Sequence, residues 1–328
     1  MTGASGRMHD DEVRTDAALA AALVAAQFPE WAHLPVEPVP STGTDNAMYR
    51  LGPELSVRMP RIHWAVAPLE REFAWLPRIA PALPFAAPVP LALGAPGEGY
   101  PWSWTVCRWI DGVHPVAGAA SGAEPSGAGA LAVDLGRFVV AMRALDPAGA
   151  PTTAWPRPLH EEDELVRTNL ALLEDELHPV SGDVTAIWEE AMAAPRADRL
   201  VWIHGDLSPG NLLVGGGGER GAPVEPGDQR RGRLVGVLDF SSMGLGDPAS
   251  DLRAAWNLLP SAARDAFRLA VEADDATWAR ARGWVLLQAL AQLPYYATRN
   301  PPLAANARHV IAELVAERRA GRTMPRPL

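Results

Sequence analysis

The chain has 328 residues, 48% of them hydrophobic, and a formal net charge of -10 with an isoelectric point near 5.3. The acidic balance argues against nucleic acid as a partner and favours a cationic small molecule. No apolar run reaches the roughly 18 residues of a membrane span, and the polar N-terminus lacks the apolar core of a signal peptide. Cys107 is the single cysteine, which excludes an internal disulfide. We therefore expect a cytoplasmic protein without a membrane partner.

The first third of the chain predicts strands with two helices. The polar residues 1–13 are predicted as a disordered tail. A helix is expected over 16–28, with Asp16 as its N-cap, and another over 69–80. Extended segments are expected over 36–40, 55–61, 89–94 and 102–109. The polar run S-T-G-T-D-N lies between the first two of these segments and predicts a turn.

The remainder is mostly helical in pattern. The low-complexity residues 117–130 predict a flexible surface loop, and residues 132–145 an amphipathic helix. Residues 155–177 predict a further helical segment, whose acidic start at 160–164 either favours a helix N-terminus or lines a pocket for an amine-bearing sugar. Further helices are expected over 187–194, 254–259, 262–272, 277–296 and 303–318. The Gly- and Arg-rich residues 215–233 predict a disordered excursion.

The most informative stretch combines short apolar strands with polar residues at their ends. Strands are expected over 200–203, 212–214 and 234–238, and the sequence H-G-D-L-S-P-G-N separates the first two. Asp206 and Asn211 lie in this turn, and Asp239 ends the third strand. These oxygen donors suit Mg²⁺. Asp206 is the predicted acceptor of a hydroxyl proton, with Asn211 and Asp239 as metal ligands; the alternative is a chance strand–turn–strand.

A second motif, G-D-P-A-S-D-L, follows the third strand. Asp247 directly precedes Pro248, which predicts a helix with Asp247 as N-cap and the proline at the first helical position. Asp251 then falls in the first turn of that helix. We interpret both aspartates as structural, with Asp251 tying the helix to the H-G-D loop.

H-G-D-x-x-x-x-N followed by a strand ending in D-F resembles the core of the aminoglycoside and macrolide phosphotransferases, antibiotic kinases with a protein-kinase-like fold. The resemblance implies an α+β, two-lobed fold, with a small antiparallel-sheet lobe over residues 14–110 and a mainly helical lobe over 111–328. It also implies Asp206 as the catalytic aspartate, Asn211 and Asp239 as metal ligands, and His204 and Asp251 as supporting residues. Ser241 stands where protein kinases have the glycine of D-F-G.

The same resemblance implies a nucleotide site in the first lobe. Thr44 falls where these kinases place a phosphate-contacting hydroxyl. The backbones of Arg108 and Ile110 are expected to hydrogen-bond the nucleobase at a hinge, where Trp109 either stacks on the base or fills the core.

Kinases place a lysine on the phosphates, but all 29 basic residues of this chain are arginine. The resemblance puts Arg58 in that role, with Arg61 as the competing residue. Arginine keeps its charge and binds phosphate in a bidentate way. Glu72 is the expected partner of Arg58, whereas Glu70 fits a helix N-terminus. The alternative is that Arg58 is an ordinary exposed residue and the site is weakened.

Three functions remain open. The first is phosphoryl transfer from ATP or GTP, with Mg²⁺, to a hydroxyl of an aminoglycoside-type antibiotic. The second is a macrolide kinase that prefers GTP, or a related kinase of a metabolite, favoured by Arg58 in V-R-M-P-R. The third is a nucleotide-binding pseudokinase, in which the change from lysine to arginine abolishes catalysis.

Overall fold

The computed structural model describes residues 12–40, 45–116, 125–153, 158–216 and 232–321. The chain divides into two compact units: residues 1–111 with 236–241, and residues 112–235 with 242–328. The expected phosphate-contacting residue Thr44 lies outside the described residues, as do most of the predicted tail and most of the 215–233 excursion. Val13, assigned to the tail, donates its N–H to the carbonyl oxygen of Arg61 at 2.8 Å and is therefore held in place.

The first unit contains the predicted antiparallel sheet. Its five strands are β1 (Val36–Pro38), β2 (Asn46–Leu51), β3 (Leu55–Pro60), β4 (Pro90–Gly94) and β5 (Trp104–Arg108), in the spatial order β1-β2-β3-β5-β4. Gly94 is required by packing, because a Cβ there would lie 2.1 Å from Cε2 of the Trp104 ring. With the mainly helical remainder of the chain, this sheet confirms the α+β, kinase-like class expected from the sequence.

The two faces of this sheet carry different chemistry. Tyr49 and Val57 belong to an apolar core with Leu23 of α1 (Ala17–Gln27). Because strand side chains alternate between faces, Arg58 points to the opposite face, directly between Met48 of β2 and Thr105 of β5. The predicted cap of α1 is confirmed, since a carboxylate oxygen of Asp16 accepts the Leu19 N–H at 2.8 Å.

The helix α2 (Val66–Ile79) supplies the acidic residue expected beside Arg58. It begins three residues earlier than predicted, after a 3-10 turn over His63–Ala65. Glu72 lies on its buried side together with Leu69 and Leu76, whereas Glu70 is exposed. The helical periodicity thus puts the two glutamates on different sides of α2.

The second unit is mainly helical. Its helices are α3 (Pro125–Arg143), α4 (Asp163–Leu172), α5 (Glu174–Leu177), α6 (Ser181–Ala193), α7 (Ala254–Asn257), α8 (Ser261–Ala270), α9 (Asp275–Tyr296) and α10 (Pro301–Arg319). The short strand β6 (Val201–Ile203) pairs with β9 (Gly244–Gly246), and β7 (Leu212–Val214) pairs with β8 (Leu234–Val237). No helix among the described residues is both long and apolar enough to cross a membrane.

Two local predictions in the second unit were wrong. The loop expected over 117–130 gives way to α3 from Pro125 onward, although residues 117–124 lie outside the described ranges. Asp247 does not cap an α-helix at Pro248. Its carboxylate instead accepts the Ala249 N–H at 2.9 Å and pairs with Arg280, and a 3-10 helix follows over Ser250–Arg253. The Asp-Pro pair therefore forms a turn that leads into the helical segment.

Cys107 offers a direct test of the first unit. Its side chain lies on the same sheet face as Ser56, and the residue is only 3% exposed. Burial raises the pKa of the thiol to about 12, and the reactive form of a thiol is the thiolate. We expect no reaction with a thiol-exchange reagent at mildly alkaline pH in the native protein, and one equivalent after denaturation. Fast reaction in the native state would show that β5 is not packed as described.

Candidate active site

The H-G-D loop is held by a buried carboxylate from another part of the second unit. Asp251, 1% exposed, accepts the N–H groups of His204 and Gly205 on its two oxygens, both at 2.8 Å. Gly205 has φ +84°, and a Cβ there would lie 2.7 Å from the carbonyl oxygen of Ser242. Glycine is thus needed both for the backbone conformation and for the close approach. The structure places Asp251 where the sequence predicted it.

His204 supports the same loop from within the core. Its ring is fully buried and lies edge-on to Phe138, with ring centroids 6.1 Å apart. The Nδ1 atom accepts the backbone N–H of Asp206 at 3.2 Å. This contact, together with its burial, places His204 beneath the loop and away from solvent.

Asp206 lies at the centre of a hydrogen-bond cluster. Its Oδ1 accepts hydrogen bonds from Ser208 Oγ, from Arg253 NH1 at 3.1 Å and from Gln288 Nε2 at 3.4 Å. Its Oδ2 accepts Asn211 Nδ2 at 2.9 Å. The side chain of Asp206 is 34% exposed, whereas that of Arg253 is 2% exposed. The loop therefore presents a partly accessible carboxylate that is held in place by a buried arginine.

Asn211 is oriented by this cluster. Its Nδ2 donates both to the carbonyl oxygen of Asp206 at 3.0 Å and to the carboxylate of the same residue. Because the nitrogen faces two acceptors, the amide oxygen is directed elsewhere and is available as an oxygen ligand. The metal role of Asn211 stays a prediction.

The first unit holds a separate cluster of three charges. Arg58 NH1 donates to Glu72 Oε2 and Arg58 NH2 to Asp239 Oδ1, both at 2.6 Å. The Arg58–Glu72 ion pair expected from the sequence is confirmed, and both residues are buried. Glu70 instead accepts the hydroxyl of Ser103 at 2.8 Å. Arg58 is therefore not an ordinary exposed strand residue.

Burial and pairing shift the pKa values of this cluster. Burial raises the pKa of Glu72 to about 6, although the nearby Arg58 charge opposes the shift. For Arg58, burial alone would lower the pKa, but Glu72 and Asp239 outweigh it and hold the pKa above its ordinary value. One guanidinium faces two carboxylates, so the cluster carries one excess negative charge when all three groups are ionised.

Asp239 has an uncommon backbone conformation. Its φ of +58° lies in the left-handed region, which aspartate tolerates better than most residues but which still costs about 1 kcal/mol. The Ser241 N–H donates to Asp239 Oδ1 at 3.4 Å, and Phe240–Ser242 form a 3-10 turn. Just before it, within the first unit, the Val237 N–H donates to the Ala86 carbonyl oxygen at 2.9 Å. Strain of this kind is typical of functional positions.

The predicted hinge is ordered at the end of β5. The Arg108 N–H donates to the Val89 carbonyl at 3.2 Å, which leaves the Arg108 carbonyl as the group that could face a base. Ile110 packs against Gly236, where a Cβ would lie 2.9 Å from its Cγ2. Trp109 is half-buried, with the Arg50 guanidinium 4.1 Å from its ring centroid. Trp109 therefore neither fills the core nor leaves both ring faces open.

The acidic residues 160–164 do not form one patch. Asp163 accepts Trp188 Nε1 at 2.7 Å and Arg167 Nε at 2.9 Å, and these hydrogen bonds lower its pKa. Glu162 is 4% exposed, whereas Glu161 and Glu164 are exposed. Asp163 thus has a structural role, and pocket lining stays a prediction for its exposed neighbours.

Sequence reasoning missed two residues of the Asp206 cluster, Arg253 and Gln288. The available signal was a single arginine, two residues after Asp251, within the otherwise apolar stretch L-R-A-A-W. A charged residue in such a stretch is buried only when it is paired. Gln288 lies within the apolar run of α9, where helical spacing alone does not identify a contact with Asp206.

Solved structures with similar folds are kinases of antibiotics. The GDP complex of aminoglycoside 2'-phosphotransferase-IIIa aligns with a TM-score of 0.71 and 18% identity, covering 92% of this chain and 100% of that chain. The GDP and kanamycin complex of APH(2")-IIIa aligns with a TM-score of 0.67 and 18% identity, covering 93% of this chain and 99% of that chain. The apoenzyme of macrolide 2'-phosphotransferase MphH from Brachybacterium faecium aligns with a TM-score of 0.56 and 21% identity, covering 90% of this chain and 97% of that chain. At these identities the likeness establishes the fold.

The sequence itself gives the family. No curated protein sequence matches the chain significantly. A family model described as the phosphotransferase enzyme family matches residues 36–284, which is most of the chain, and the chain therefore belongs to that family.

Proposed function

We propose that this protein transfers the γ-phosphoryl group of a nucleoside triphosphate to a hydroxyl of an aminoglycoside-type antibiotic. The observation that carries the proposal is the Asp206 loop: a partly exposed carboxylate, fixed by Arg253 and Ser208, beside an asparagine turned to offer its oxygen. Family membership supplies the reaction class. The net charge of -10 favours an acceptor that bears amines.

In this proposal each cluster has one task. Asp206 accepts a hydrogen bond from the acceptor hydroxyl, orients its oxygen towards the γ-phosphorus and takes the proton late. Arg58, held at NH1 by Glu72 and at NH2 by Asp239, directs a remaining N–H to phosphate oxygens. The backbones of Arg108 and Ile110 bind the base, and the hydroxyl of Thr44 binds a phosphate. Phosphoryl transfer depends mainly on this positioning and on charge neutralisation.

The oxygen chemistry of the predicted ligands suits Mg²⁺. Asn211 and Asp239 would hold it through oxygen atoms, and Mg²⁺ commonly has only one or two protein ligands besides water and phosphate. The excess negative charge of the Arg58, Glu72 and Asp239 cluster also favours a cation. Among the described residues no group of three or more His, Cys, Asp and Glu is placed to hold a metal alone. When bound, the ion neutralises charge on the phosphate oxygens.

A macrolide acceptor is the second candidate. Arg58 in the sequence V-R-M-P-R favours it, and the macrolide 2'-phosphotransferase MphH shares the fold at 21% identity. The related structures include complexes with GDP and with ADP, so GTP and ATP are both tested as phosphate donors. A pseudokinase is disfavoured by the ordered pairing of Arg58 with Glu72.

The deciding experiment measures nucleotide consumption and phosphorylated product. ATP and GTP, each with Mg²⁺, are compared against kanamycin-like, hygromycin-like and macrolide acceptors. We expect acceptor-dependent turnover with an aminoglycoside. Turnover with macrolides alone would replace the first candidate by the second. Tight nucleotide binding without transfer to any acceptor would favour the pseudokinase or a metabolite kinase.

The Asp206→Asn variant tests the assigned base. Removing the proton acceptor while keeping the side-chain shape should lower kcat by about 100- to 10,000-fold and leave the nucleotide Kd nearly unchanged. Asp265→Asn, an exposed aspartate on α8, is the matched control and should keep wild-type kcat. Full activity of Asp206→Asn in steady-state assays would reject the role of Asp206.

The raised pKa of Glu72 gives a pH dependence. Above a pKa of about 6 Glu72 is ionised and holds Arg58; as the pH falls through 6 it takes up a proton and the ion pair weakens. We therefore expect kcat/KM for the nucleotide to fall on the acid side of about pH 6. Glu72→Gln should remove this dependence and remain at the low value at all pH. Glu70→Gln, on the same helix but exposed, should keep the wild-type profile, and an identical profile in both variants would contradict the assignment.

A further inference from the structure

We propose that Arg253 and Gln288 are positioning residues that anchor Oδ1 of Asp206, so that Oδ2 is the oxygen that receives the substrate proton. This inference rests on the proposed function, because it assigns a task to atoms around the proposed base. It concerns residues of the second unit alone.

The first argument is the burial of Arg253. Its side chain is 2% exposed, and it follows Asp251 in the 3-10 helix Ser250–Arg253. A buried guanidinium is retained only when it is paired and hydrogen-bonded. Arg253 donates through Nε to the carbonyl of Ser250 and through NH1 to Asp206 and to Gln288. Its carboxylate partner is thus the residue proposed as the base.

Other buried arginines of this unit differ in their partners. Arg264 pairs with Glu313 and Glu317, Arg268 with Asp275, and Arg280 with Asp247. These partners belong to the helices or to the turn before them. Arg253 alone among these four arginines is directed at the H-G-D loop. For a purely structural role, Arg253 could equally pair with a carboxylate outside the H-G-D loop, as the other three arginines do.

The second argument is the different occupancy of the two oxygens of Asp206. A carboxylate oxygen has two lone pairs. Oδ1 accepts three donors, from Ser208, Arg253 and Gln288, and its capacity is filled. Within the described part of the chain, Oδ2 accepts a single side-chain hydrogen bond, from Asn211. The lone pair left for a substrate hydroxyl is therefore on Oδ2.

Gln288 links the two arguments. Its Oε1 accepts Arg253 NH1 at 2.9 Å, and its Nε2 donates to Asp206 Oδ1 at 3.4 Å. The amide thus satisfies the arginine and the aspartate together, and its orientation is fixed by both. Through Gln288, the long helix α9 contributes to holding the carboxylate plane.

In the step that this geometry favours, one bond to phosphorus forms while another breaks. The hydroxyl oxygen of the acceptor forms a bond to the γ-phosphorus, and the bond from that phosphorus to the oxygen bridging the β- and γ-phosphates breaks. The nucleoside diphosphate leaves, and the hydroxyl proton passes to Asp206 Oδ2. Arg253 and Gln288 stay on Oδ1 throughout and prevent rotation of the carboxylate.

The test uses Arg253→Met, Arg253→Lys and Gln288→Leu in the full-length protein, with the acceptor and nucleotide that the wild type uses best. A displaced carboxylate should lower kcat roughly 10- to 100-fold, with the nucleotide KM within about threefold of wild type. Arg253→Lys should recover part of the loss, because it restores a cation beside Oδ1. In an Asp206→Asn background, Arg253→Met should cause no further loss of kcat.

Arg268→Met is the matched control, because Arg268 is another buried arginine with a carboxylate partner but far along the chain from the loop motif. It should lower the Tm and leave kcat per folded molecule unchanged. If Arg253→Met folds poorly, Gln288→Leu carries the same test. Wild-type kcat in both Arg253→Met and Gln288→Leu would overturn the inference. A wild type that phosphorylates none of the acceptors would instead refute the proposed function, and this inference with it.

Discussion

The placement of the H-G-D loop depends on one buried carboxylate. Asp251 accepts two consecutive backbone N–H groups, and those groups belong to the residues directly before Asp206. A carboxylate in the core is stable only when its oxygens are satisfied, and N–H groups in a strained turn need an acceptor. The carboxylate and the two N–H groups satisfy each other's hydrogen bonds. The glycine turn at Gly205 and the position of Asp206 follow from this contact.

A second constraint acts in the first unit, where a chain without lysine has to place a cation beside carboxylates. Arg58 does so with its two terminal nitrogens, each on its own carboxylate at 2.6 Å. A lysine would have to bring both carboxylates to its single charged nitrogen, whereas arginine gives each carboxylate a nitrogen of its own. The arginine therefore forms a fixed bridge between α2 and the strained Asp239, which argues against a simple loss of the kinase lysine.

The sequence was informative where a local pattern coincides with the structure. The strands, the cap by Asp16 and the H-G-D loop follow from periodicity and turn chemistry, and Glu72 follows from the family resemblance. Thr44 stays a prediction because it lies outside the described residues. These successes share one property: the contacts lie within an element or are implied by a family motif.

The predictions that failed, and the residues that were missed, depend on contacts that lie outside a single element. The Gly- and Ala-rich start of α3 has a weak helical signal of its own, and it extends a helix whose buried residues, such as Leu135 and Phe138, come later. Asp-Pro suits both a cap and a turn, and Arg280 on α9 selects the turn. Arg253 contacts Asp206 across 47 positions, and Gln288 does so across 82. No local pattern encodes such distances.

The Arg253–Asp206 pair also bears on the proposed role of Asp206. The two side chains are neutral together, and the guanidinium is buried. Separating them would leave a buried charge without its counter-charge, so Arg253 holds the carboxylate in one position. Phosphoryl transfer has a loose transition state that demands little of the nucleophile. A carboxylate that is held in place and mainly orients a hydroxyl is therefore well matched to the proposed reaction.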